Sequence, residues 1–122
     1  MSLMERVRVE IYEGDPFVGC CGPRIASKED VDRLRNMLTE RNHIIKALKE
    51  EFKDKIEIER DIISTRRRLE TYPRHIYKLL VAGIKVPFVV IEGQLALEGE
   101  FPNLEEFRSL IKEHIDKRHK SP

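Results

Sequence analysis

No stretch of the chain's 122 residues approaches the run of apolar side chains that a membrane-spanning helix needs. No charged-then-apolar leader opens it either, so neither a span nor a secretory signal is expected. Cysteine is scarce: the two thiols, Cys20 and Cys21, are neighbours. Adjacent cysteines close no useful loop, which excludes the disulfide-stapled secreted class and makes a reducing cytoplasm the expected compartment. One-sided charge is missing as well, because 23 basic and 22 acidic side chains leave a formal charge of +1. A duplex-binding protein would carry a basic excess on one face, so Arg66-Arg67-Arg68 and the stretch from Lys117 to Lys120 read as solvated helix ends. There is no phosphate-cradling glycine loop, no serine–histidine constellation, no internal repeat and no linker.

What remains is enough for one core. Met1-Ser2-Leu3 reads as an appended remnant ahead of a native start at Met4, giving a single expected domain over 4–122. Val7, Val9 and Ile11 alternate with Arg8, Glu10 and Tyr12, the period-two pattern of a strand. Gly14, Pro16, Gly19, Gly22 and Pro23 then mark Glu13 to Arg24 as a loop. Ser27 with Asp30 resembles a capping box, and from Val31 apolar residues recur at helical spacing to a stop near Lys53. Their near-heptad interval leaves room for a partner helix, although the chain's own sheet is the simpler cover.

Ile56, Ile58 and Ile62-Ile63 suggest a second strand, followed by an irregular polar stretch from Ser64 to Tyr72. Pro73 suits a helix start, with Ile76, Tyr77, Leu79 and Leu80 as the buried face and Gly83 as the stop. Phe88 to Ile91 reads as a strand covered on both faces. A turn at Glu92-Gly93 leads to a hairpin partner at Leu95-Ala96-Leu97. Asn103 then caps a last helix carrying Leu104, Phe107, Leu110, Ile111 and Ile115. The order is β-α-β-α-β-β-α, which predicts an α/β fold with a four-stranded mixed sheet flanked by helices. Arg8 and Glu10 pose a problem in that scheme, since they point toward a helix layer. Either they sit at its rim or that face is partly open.

Gly19-Cys20-Cys21-Gly22-Pro23-Arg24 lies between the first strand and the long helix. Free N–H groups at a helix start stabilise a thiolate, and Arg24 adds a fixed positive charge. The plain alternative is that both cysteines fill space. If they react, they can form a strained vicinal disulfide, attack and resolve a partner disulfide, or work as a monothiol. They can also clasp one thiophilic ion; two sulfurs are too few for a closed zinc site. His43, His75, His114 and His119 read as surface histidines, and Tyr72 and Tyr77 as packing residues.

Cys21-Gly22-Pro23-Arg24 resembles the thioredoxin tetrad Cys-Gly-Pro-Cys with Arg24 in place of the second cysteine. Val86-Pro87, followed by a strand, a glycine turn and another strand, is similar to that superfamily's cis-proline hairpin. The resemblance implies a thioredoxin-like thiol–disulfide redox protein with Cys21 attacking and Cys20 resolving. Gly22, Pro23 and Arg24 would surround the thiol, and Pro87 would pack against Cys21. Val86 would offer its backbone to the partner, a protein disulfide or glutathione, without a cofactor. The layout also resembles arsenic metallochaperones of the ArsD type, in Cys20-Cys21 before Asp30-Val31-Asp32, in Ile58-Glu59-Arg60 and in Gly99-Glu100-Phe101-Pro102. That likeness implies a metalloid or soft-metal carrier whose cargo sits on Cys20 and Cys21, without the third cysteine of those proteins. A redox-silent interaction module is the remaining reading. Neither a nucleic acid nor a membrane is an expected partner, and the oligomeric state stays open.

Overall fold

The computed structural model describes residues 6–14, 18–19, 22–23, 28–64 and 67–120. In chain order the elements are β1 (Val7–Gly14), β2 (Val18–Gly19), β3 (Gly22–Pro23), α1 (Lys28–Phe52), β4 (Ile56–Ile63), α2 (Arg74–Val81), β5 (Phe88–Ile91), β6 (Gln94–Glu98) and α3 (Leu104–Lys120). Four strands form one mixed sheet in the order β4-β1-β5-β6, while β2 and β3 make a separate short ladder. The α/β class, the four-stranded mixed sheet and the three helices are as the sequence predicts.

The register explains the two helix layers. β1 pairs in parallel with β4, from Val7↔Ile56 to Gly14↔Ile63, and antiparallel with β5, from Val9↔Ile91 to Tyr12↔Phe88. Alternate side chains of a strand point to opposite faces, so Val7, Val9 and Ile11 share one side. There they pack with Ile45, Leu48 and Phe52 of α1 and with Phe107 and Ile111 of α3. Tyr12, Phe88 and Val90 lie on the other side against Ile76 of α2 and Tyr72 just before it. All four β5 side chains are buried, as a strand covered on both faces requires. Each such apolar side chain removed from water stabilises the fold by roughly 1.5–3 kcal/mol.

The local signals act as expected where partners are near in sequence. Glu92 and Gly93 both have positive φ, 53° and 79°, the geometry of a tight hairpin turn between β5 and β6. Asn103 Oδ1 accepts from the Glu106 N–H at 2.8 Å, and Glu106 Oε1 accepts from the Asn103 N–H at 3.4 Å, a reciprocal cap for α3.

Three expectations need correction. The strand continues through Glu13 and Gly14, because both pair with β4 at Ile62 and Ile63; the loop begins later than glycine and proline punctuation implied. Within that loop, Val18 pairs with Pro23 and Gly19 with Gly22. Tyr77 is 37% exposed rather than part of the buried face of α2, whose inward contacts come from Ile76 with Leu79 and Leu80 beside it. The problem of Arg8 and Glu10 resolves in two ways at once. Arg8 reaches outward to Glu59 at 2.8 Å, whereas Glu10 is buried to 2% exposure and bonded there. Ser27, and with it the proposed capping box, lies outside the described residues.

Candidate functional site

The C-terminal end of β1 is where the expected chemistry should gather, since the chain leaves Gly14 for the cysteine segment and returns at α1. Cys20, Cys21 and Arg24 lie outside the described residues. Of their neighbours, Gly22 and Pro23 belong to β3 and pair back to β2, with Cys20-Cys21 as the intervening dipeptide. Helix α1 begins only at Lys28. The short ladder therefore stands between the first strand and the helix, where the sequence suggested only a loop.

Val86 and Pro87 are described, and they lie beside the end of β1. The Val86–Pro87 peptide bond is cis. Gly14 makes the approach of the two segments possible: a Cβ built on it would stand 3.2 Å from Val86 Cγ2. Gly14, Val86 and Pro87 together line a cleft of about 520 Å³ closed by Met37 and Leu38 of α1 and by Ile62 of β4. A second cleft of about 510 Å³ lies toward α3, with Ile44, Phe101 and Pro102 among its walls. Met37, Arg41 and Pro87 belong to both, so the two clefts meet at the cis proline.

A buried carboxylate fixes the charged wall of this region. Glu13 extends the inward series Val7, Val9, Ile11 on β1, and its side chain is only 9% exposed. Oε1 accepts from Arg41 Nη1 at 2.9 Å, and Oε2 accepts from Arg60 Nη2 at 2.8 Å and Arg60 Nε at 3.0 Å. Arg60 Nη1 donates in turn to Asn42 Oδ1 at 2.7 Å, and the Arg41 guanidinium stands 4.8 Å from the Phe101 ring centroid. Charge-assisted bonds of this kind hold both guanidiniums in place, and the aromatic face adds a cation–π contact. On the same cleft wall Asp61 is answered by Arg67 at 2.9 Å.

Sequence reasoning placed Gly14 in a loop and assigned no role to Glu13, Arg41 or Arg60. Two signals could have found them. Glu13 is a charge at the next inward position of an apolar alternation, and Arg41 interrupts the stripe Leu34, Leu38, Ile45, Leu48. A charge on a buried face needs a partner, and these two supply each other. Arg60 carries the same mark as Glu13, since it follows Ile56 and Ile58 at the next alternate position of its strand.

The opposite sheet face holds a second polar cluster. Glu10 accepts from the Tyr12 hydroxyl at 3.0 Å and from His75 Nε2 at 2.9 Å, so His75 lies at the surface as expected but is tied to a buried carboxylate. Burial, and then the bond to Glu10, push the Tyr12 phenol far above its ordinary range. Among the described residues, no group of three histidine, cysteine, aspartate or glutamate side chains converges to hold a metal, and no helix is long and apolar enough to cross a membrane. Comparison with protein-family models, curated proteins and solved structures finds no match.

Proposed function

We propose that the chain is a thioredoxin-like thiol–disulfide redox protein working through Cys21 and Cys20. The observation that carries the reading is the approach of the β1 end to Val86–Pro87: the segment bearing both thiols leaves from Gly14, where an added Cβ would stand 3.2 Å from Val86 Cγ2. The strand order β4-β1-β5-β6, with β4 parallel and β5 antiparallel to β1, accords with the thioredoxin-like arrangement that the sequence resembles.

In this reading the Cys21 thiolate attacks one sulfur of a partner disulfide. A mixed disulfide forms and the partner's other sulfur leaves as a thiolate. Cys20 then attacks the Cys21 sulfur, releasing the second partner thiolate and leaving an intrachain disulfide. Two electrons pass to the partner. Where the vicinal bond is too strained to form, an external thiol such as glutathione attacks the mixed disulfide instead.

The test is the intact mass of the reduced, metal-free protein after equilibration in a glutathione redox buffer. Loss of two hydrogens, or gain of one glutathione, is expected. Cys21→Ser abolishes exchange, whereas Cys20→Ser accumulates mixed disulfide. An unchanged mass under oxidising conditions sinks the redox reading. Comparable loss of arsenite binding in both serine variants would then support the carrier reading, and wild-type behaviour in every assay the redox-silent one.

A further inference from the structure

The two clefts that meet at Pro87 differ in character. Toward β4 the wall is apolar, with Met37, Leu38 and Ile62, and its charges are answered: Glu13 by Arg41 and Arg60, Asp61 by Arg67. Ile62 is 45% exposed although it is a large aliphatic side chain. Toward α3 the lining carries three carboxylates, Glu40, Glu100 and Glu106, against the single guanidinium of Arg41. Arg41 is already committed to Glu13 and Phe101, and Glu106 to the cap of α3. Among the described residues Glu40 and Glu100 have no ion-pair partner. An apolar groove thus passes over a proline into a mouth whose negative charge is unanswered among the described residues.

We infer that this groove receives an extended polypeptide with an apolar side chain over Met37, Leu38 and Ile62 and a basic side chain facing Glu40 and Glu100. The inference rests on the thiol–disulfide reading for its purpose, naming the class of partner chain that presents its cysteine at Pro87. The geometry favours a polypeptide because two recesses of different lining meet at the proline, suiting two side chains of one extended backbone. Charge complementarity selects the basic residue, and the apolar recess selects its companion.

The experiment uses the reduced wild-type chain and short blocked peptides in which serine replaces the reactive cysteine. Leucine stands on one side of the serine, and arginine, glutamine or glutamate on the other, in both orders. Binding is followed by amide NMR titration. In the stronger of the two orders the arginine peptide is expected to bind about two- to fivefold tighter than the glutamine peptide, and the glutamate peptide weakest, the range set by exposed ion pairs. Shifts should fall on Met37, Ile62 and Phe101. Glu40→Gln with Glu100→Gln should erase the charge preference while the leucine contribution survives. Equal affinity for all three peptides, tighter binding of the glutamate peptide, shifts on another face or no binding would each overturn the inference. These peptides cannot exchange disulfides, so the outcome is independent of the mass test. Redox-competent thiols without charge selection would defeat this inference alone, and selective binding without thiol exchange would defeat the redox reading alone.

Discussion

His75 Nε2 lies 2.9 Å from Oε2 and 3.1 Å from Oε1 of Glu10, joining the second residue of α2 to the middle of the central strand. A carboxylate accepts and cannot donate, so the contact assigns the proton to Nε2. Glu10 is 2% exposed while the His75 side chain is 39% exposed, so water can replace the histidine only in part. His75→Ala should therefore destabilise the fold by about 1–2 kcal/mol, because the buried carboxylate loses one of its two donors. The expected reading is a lower urea midpoint with an unchanged slope. Adding Glu10→Leu should recover part of the loss, since the uncompensated buried charge disappears with it. A double variant less stable than His75→Ala would show that the pair is not the cause.

The same cluster sets an alkaline limit. Tyr12 is 4% exposed, stacks on Phe88 at 5.2 Å between centroids and donates to Glu10. Its folded pKa is raised, chiefly by burial and next by the Glu10 bond. The neutral phenol is thus held more firmly in the fold than in the unfolded chain. This contribution to stability is complete below the unfolded value of about 10 and is lost as pH rises from there toward the folded value. In the folded protein, the phenolate absorbance of wild type and Tyr12→Phe should rise equally through that unfolded value. An earlier extra rise in wild type would mean that Tyr12 is accessible to solvent.

On the other face, Glu13 is, among the described residues, the single carboxylate that holds Arg41 and Arg60 beside the clefts. Glu13→Ala leaves two partly buried guanidiniums facing each other without their shared acceptor. A loss of about 2–3 kcal/mol is expected, below the usual figure for a fully buried pair because Arg60 keeps Asn42 and some water. Glu13→Gln retains an acceptor and should lose less. Thermal unfolding of the two variants checks the order, and equal loss would assign the whole effect to the carboxylate's charge, since glutamine keeps the side-chain volume.

These clusters show where sequence reading reached and where it stopped. The alternation in Val7, Val9 and Ile11, the apolar run Phe88 to Ile91 and the helical spacing of Leu104, Phe107 and Ile111 record contacts that every strand or helix face must make. They predicted the mixed sheet and the order of its strands and helices, but not the short β2–β3 ladder. Glu10 and Glu13 interrupt that pattern, and their partners are far along the chain: His75 is 65 residues from Glu10, and Arg41 and Arg60 are 28 and 47 residues from Glu13. Nothing local to β1 specifies such partners; only the crossing of α1, β4 and α2 over the sheet brings them in. Val86-Pro87 was singled out only through its resemblance to a cis-proline hairpin, since a proline before an apolar strand does not by itself specify its isomer. The cleft beside it was not legible, because its walls come from four separate segments.

Gly14 and Val86 provide the most direct handle on that cleft. The backbone of Gly14 does not need the freedom of glycine, since its φ lies outside the left-handed region. The missing side chain matters instead: an added Cβ would stand 3.2 Å from Val86 Cγ2, closer than ordinary van der Waals contact. Gly14→Ala should push Val86 by a few tenths of an ångström and cost about 1 kcal/mol, the lower end of overpacking penalties. Val86→Ala removes the opposing methyl groups, so in the double variant the new Cβ meets open space. The two substitutions should then couple, with the double variant more stable than the sum of the single losses implies. Denaturant unfolding of all four forms measures that coupling. Strict additivity would mean that Val86 yields freely and that the end of β1 does not set the position of the Val86–Pro87 turn.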